Sequence, residues 1–176
     1  MLFNSYIFIF VFLPLTLGSY YGLHKLGKPV FAKIALILMS FWFYGYFNPN
    51  YLWIMCSSII VNYLLSQLLQ RKWEMSAAQI AVLKKSLLAI GLIFNLGLIF
   101  YFKYYDFFFE NINTVFHTNV AMHNILLPLG ISFFTFQQVS YMVDSYRGET
   151  KEYNFADYAL FVTFFPQLIA GPIVLH

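Results

Sequence analysis

Between Lys33 and Arg71 the chain runs for 37 residues without a charged side chain. A helix needs roughly 20 apolar residues to cross the hydrocarbon of a bilayer, so this stretch has room for two crossings. It is punctuated once, at Asn48-Pro49-Asn50. The residue before a proline is pushed out of the helical region, and Asn-Pro favours a turn. The stretch therefore predicts a helical hairpin over residues 30–47 and 51–69. Four more apolar runs are long enough to matter: 22 residues at 2–23, 17 at 86–102, 19 at 125–143 and 17 at 158–174. The first lacks a basic leader and an A-x-A cleavage site, so it reads as an uncleaved span, not a signal peptide.

Composition agrees. Hydrophobic residues make up 61% of the 176, charged residues 10%, and mean hydropathy is +0.69. A water-soluble domain lies nearer half apolar and a quarter charged. A soluble globular domain, a disordered chain and a nucleic-acid module are excluded, the last also by a net charge of only +3. The apolar runs are continuous, not alternating, and too long for barrel strands. In lipid the helix satisfies its own backbone. The predicted fold is an all-α integral membrane protein, a polytopic helical bundle with five to six transmembrane helices, in one domain over residues 1–176.

The basic residues set an orientation. With an extracytoplasmic N-terminus, the cytoplasmic loops hold Lys25, Lys28, Lys33, Arg71, Lys72, Lys84, Lys85, Arg147 and Lys151, and the outer loops hold only Lys103. That partition follows the positive-inside rule and predicts that a reporter fused after Asn113 lies outside. The outer stretch 103–124 is aromatic and lightly charged, which suits a segment lying at the interface. The single cysteine, Cys56, sits in an apolar run and reads as a small buried hydrophobe.

Two stretches carry chemical information. Residues 127–147 begin with Pro128 and Gly130 and become a polar-striped helix. Gln137, Tyr141 and Asp144 fall at i, i+4 and i+7 and share one face, with Gln138 beside them. Uncharged amides and hydroxyls in hydrocarbon are costly unless paired, so this face should look inward. It reads either as the polar wall of a substrate cavity or as hydrogen-bonding glue between helices. Asp144 and Arg147 at i, i+3 read most simply as a helix-end ion pair. The second stretch, 161–174, holds Pro166 and Pro172 with Gln167 and Gly171 between them. Each proline removes an intrahelical hydrogen bond. Irregular backbone at membrane depth is tolerated where it is buried in protein or lines a wet cavity. This segment therefore reads as cavity-lining, or else as an ordinary proline kink.

Pro-Leu-Gly-Ile-Ser-Phe-Phe-Thr-Phe-Gln at 128–137, followed by Tyr141, Asp144 and Tyr146-Arg147-Gly148, resembles the signature of the membrane-bound O-acyltransferase family. Phe-Pro-Gln-Leu-Ile-Ala-Gly-Pro at 165–172 resembles the same family's next motif. Phe-Tyr-Gly-Tyr-Phe-Asn-Pro at 43–49 resembles its bacterial branch, which holds alginate and peptidoglycan O-acetyltransferases and teichoic-acid D-alanyl transferases. The closest likeness is to the alginate type.

The resemblance implies a ring of tilted helices around a funnel, of which this chain forms part. It implies transfer of an acyl group, usually acetyl, from a cytoplasmic donor such as acetyl-CoA or an acyl carrier. The acceptor is a hydroxyl of an exported polysaccharide such as alginate. The implied setting is the bacterial inner membrane, with the bilayer, the rest of the same domain and periplasmic acetyltransferases as partners. The implied general base is a histidine well downstream of the Gly-Pro motif. His24, His117, His123 and His176 do not match it, so these 176 residues are expected to be the N-terminal part of a longer domain and to lack the catalytic histidine. No metal, nucleotide loop or nucleic-acid partner is expected. Leu175 departs from the family, which often has a basic or bulky polar residue there. Two other readings stay open on the residues alone: a transporter or export subunit with a broken substrate-binding helix, and a membrane scaffold.

Overall fold

The computed structural model of the protein describes residues 4–123, 125–150 and 153–170. Among them there is no strand. A π-helical turn at Phe8–Phe12 leads into α1 (Leu13–Lys25). Gly27, at φ 70°, turns the chain after α1, and Pro29 opens α2 (Pro29–Phe47), where its missing N–H has no intrahelical bond to lose. Asn48 is extended (φ −159°, ψ 111°), and its Oδ1 accepts from Asn50 N at 3.0 Å. α3 (Asn50–Gln70) starts there. The hairpin read from Asn48-Pro49-Asn50 is present.

The next helix is longer than the apolar run suggests. α4 (Ala77–Ile99) starts nine residues before position 86, because Ser76 and Gln79 form a reciprocal cap. Ser76 Oγ accepts from Gln79 N at 3.4 Å, and Gln79 Oε1 accepts from Ser76 N at 3.3 Å. Lys84 and Lys85 therefore sit inside a helix, not in a loop; long lysine stems can carry their charge to the membrane edge. Lys103 does not end the helix either. A π-helical turn, Phe100–Tyr104, carries it into α5 (Tyr105–Phe116), with Lys103 Nζ 5.3 Å from the Tyr104 ring. His117 takes a left-handed conformation (φ 51°) and ends α5. The following loop is tied back: Asp106 Oδ1 and Oδ2 accept from the backbone N–H of His123 (2.9 Å) and Ile125 (3.1 Å).

α6 (Ile131–Arg147) begins six residues later than the run 125–143 suggests. Pro128 and left-handed Gly130 (φ 67°) hold the chain out of the helix until Ile131. At its other end Gly148 is also left-handed (φ 75°), and Glu149 N donates to Asp144 O at 3.0 Å. α7 (Phe155–Thr163) is capped by Asn154, whose Oδ1 accepts from Asp157 N at 2.9 Å. It breaks at Phe164 (φ −54°, ψ 106°), and α8 (Phe165–Ala170) restarts with Pro166 in its first turn. The irregular backbone expected near Pro166 is a break between two short helices.

Among the described residues, three helical stretches are long and apolar enough to cross a membrane: Pro29–Tyr46, Asn50–Gln70 and the continuous Ala77–Phe116. Many large apolar side chains face outward, and polar ones are enclosed beside apolar residues such as Phe12, Phe43 and Met55. Tyr6, Trp53, Phe107 and Ile93 face outward, while Asn62, Asn95, Thr135 and Gln138 are fully enclosed. An all-α membrane protein presents its apolar side chains to lipid and keeps its polar groups within.

The described residues cluster in two units, 4–63 with 153–170, and 64–123 with 125–150. In the first, α2 packs against α1, α7 and α8. In the second, α4 packs against α6. A Cβ on Gly91 would overlap Met142 Sδ, so glycine there lets α4 and α6 approach closely.

Candidate functional site

The polar stripe of α6 is buried. Gln137, Gln138, Tyr141 and Asp144 are 2%, 0%, 0% and 9% exposed. Only part of it is paired by other groups of the same unit. Gln70, at the end of α3, donates through Nε2 to Ser145 Oγ at 2.9 Å and approaches Tyr141 Oη at 3.5 Å. Ser145 Oγ in turn donates to Tyr141 O at 2.7 Å. Gln137 Oε1 and Asp144 Oδ2 are enclosed without a hydrogen-bond partner, as are Thr135 Oγ1 on α6 and Ser66 Oγ on α3. The helix-end ion pair does not form: Arg147 is exposed, and among the described residues the only ion pair joins Lys33 to Asp157. Arg147, one turn beyond Asp144, is exposed and makes no ion pair with it, so i, i+3 spacing alone does not bring the charges together.

The second stretch lies in the other unit. Phe165 docks into a cluster of rings from the N-terminal helices, with centroids 5.1 Å from Phe12, 5.4 Å from Phe43 and 6.1 Å from Phe8. The segments beginning at Phe43 and at Phe165, which carry two of the quoted motifs, thus meet. Pro166 and Gln167 follow directly. Gln167 lines a cleft of about 570 Å³ with Lys33, Tyr153, Asp157, Phe161 and Phe164. Lys33 Nζ donates to Asp157 Oδ1 at 2.5 Å. Gly171 and Pro172 lie outside the described residues.

Sequence reasoning missed four of these groups. Gln70 is the last polar residue before the basic pair Arg71-Lys72 and was hidden by them. Ser145 looks ordinary beside Asp144. Lys33 was read only as a topology marker. Asp157 stands alone at the head of the last apolar run, and an isolated carboxylate there is itself a signal for a partner. The arrangement offers hydrogen-bond acceptors and hydroxyls, without a described group of three or more His, Cys, Asp or Glu side chains.

Known proteins align with nearly the whole chain. The whole chain aligns with a peptidoglycan O-acetyltransferase of Helicobacter pylori at 38% identity, covering 37% of that protein. It aligns over 99% of its length with probable alginate O-acetylases of Pseudomonas aeruginosa (34% identity, 33% of the relative) and Azotobacter vinelandii (33%, 34%). Over nearly its whole length the chain is thus similar to O-acetyltransferases of peptidoglycan and alginate, in keeping with the resemblance carried by its motifs. It spans about a third of the length of these relatives. No protein-family model and no solved structure matches it. Of the motifs quoted above, the one at 128–148 forms α6 and its two ends, and Phe-Pro-Gln at 165–167 follows the break from α7 into α8.

Proposed function

We propose that this chain is part of a membrane O-acyltransferase that moves an acyl group, most simply acetyl, onto hydroxyls of an exported polysaccharide. The observation that carries this reading is alignment of nearly the whole chain with relatives named as O-acetyltransferases of peptidoglycan and alginate. Those names favour acyl transfer over the transport reading. The buried, partly unpaired face of α6 supports a role in lining the path of a polar substrate. Unpaired acceptors such as Gln137 Oε1 suit a sugar, whose hydroxyls donate. Gln137, Gln138, Tyr141 and Asp144 form this wall, with Arg147 at its mouth, and Pro166 and Gln167 begin a second lining segment that continues to Gly171 and Pro172.

A sugar hydroxyl is a weak nucleophile at neutral pH. A neutral imidazole can take its proton as the bond to the acyl carbon forms. The resemblance assigns that base to a histidine in the remainder of a longer membrane domain. The donor is acetyl-CoA or an acyl carrier reached from the cytoplasm, and periplasmic acetyltransferases are candidate later partners. The nine-to-one bias of basic residues favours the inner membrane with the N-terminus outside.

The test is Gln137→Ala in the complete open reading frame, expressed with its own polysaccharide. O-acetylation of the polymer should fall roughly tenfold or more, as expected when one positioned hydrogen bond to reacting substrate is lost, at unchanged protein level in the membrane. Normal acetylation at normal level removes Gln137 from the cavity wall.

A further inference from the structure

Asp144 is an ionisable group on a buried face. Its side chain is 9% exposed, its Oδ2 is enclosed without a partner, and no ion pair reaches it among the described residues. Arg147, one turn on, is exposed and does not turn back to it. Asp144 also sits in the last turn of α6, where the helix dipole is negative. Its backbone carbonyl already accepts from Gly148 and Glu149 N–H, so the helix end offers it no donor. A carboxylate buried in such a place is strongly disfavoured until a cation meets it. Within membrane helices such groups pair with one another or mark a functional path.

The relatives are nearly three times as long as the matched region. We propose that Asp144 forms a buried ion pair with a lysine or arginine on a membrane helix of the remaining part of the domain, and so locks α6 to that part. This rests on the reading that the chain is one portion of a longer acyltransferase domain. The occupant is argued from charge: a carboxylate at the negative end of a helix is met best by a cation.

The experiment uses the complete open reading frame in its own membrane. Asp144→Asn keeps the shape and removes the charge. It should lower the melting midpoint of the detergent-extracted protein by roughly 5–10 °C, since removing one partner strands a buried cation. Each basic residue of the remaining membrane helices is then neutralised in the Asp144→Asn background. One such second substitution should restore most of the midpoint. If Asp144→Asn does not accumulate, the same rescue is read as recovered protein in the membrane fraction. A wild-type midpoint for Asp144→Asn overturns the proposal, and so does a loss that no neutralisation relieves. Because stability is read and not acetylation, a different reaction for the domain would leave the result intact.

Discussion

Two kinds of buried polar residue stand out inside these helices, beside the Gln70–Ser145 pair. Thr16, Asn62, Asn95 and Thr163 donate to carbonyls one turn back, at 2.8–2.9 Å (Phe12, Ser58, Gly91 and Ala159). Such back-bonding lets a membrane helix bury a polar side chain without help from a neighbour. Gln137 and Asp144 have no such outlet. The stripe Gln137, Tyr141, Asp144 was legible from its spacing alone, whereas its pairing was not, because Gln70 lies far away in sequence. The Lys33–Asp157 bond, half open to solvent, links α2 to α7. Asp157→Asn should cost about 1 kcal/mol, or ~2–4 °C in melting midpoint. The double exchange Lys33→Asp with Asp157→Lys should recover most of it in a thermal melt. A double variant no better than Asp157→Asn would leave the bond without energetic weight.

At the scale of elements, apolar runs located the helices but misplaced their ends. α4 starts at a cap written in Ser76 and Gln79, a signal outside the apolar run. It passes Lys103 because a single lysine can keep its stem in the helix and its charge near an aromatic face. α6 is late because Gly130 takes a positive φ. Pro128 and Gly130 were visible in the sequence, yet their effect on the first turn depends on backbone geometry. The far end of the loop after α5 is tied back by one carboxylate, and Asp106→Ala removes both of its bonds. Charge-assisted bonds of this kind are worth about 1.5–3 kcal/mol. Amide exchange at His123 and Ile125 should therefore accelerate about tenfold or more by hydrogen–deuterium mass spectrometry, while α5 keeps its protection. Unchanged exchange at both amides would mean that the loop is held by other contacts.

For the whole molecule, sequence established the all-α membrane class, since length and charge-free runs leave no other economical backbone. How the runs associate was not legible, because side-chain contacts such as Phe43 on Phe165 join segments far apart in the chain. Orientation is tested by truncation fusion. Asn113 itself holds the loop after α5, through bonds to Thr118 and Val120. The reporter therefore belongs after Met122, which leaves α5 and the bonds of Asn113 in place. Alkaline phosphatase placed there should be active and a cytoplasm-dependent reporter silent; the reverse pattern inverts the topology. The ring cluster has one more consequence, set by the order of synthesis. Phe8, Phe12 and Phe43 leave the ribosome early, and Phe165 follows 122 residues after Phe43. At roughly 5–20 residues per second the early helices wait about 6–25 s for it. Through that interval the N-terminal hairpin holds an open aromatic socket, so an insertion chaperone that shields such a surface would act on a nascent chain still short of residue 165.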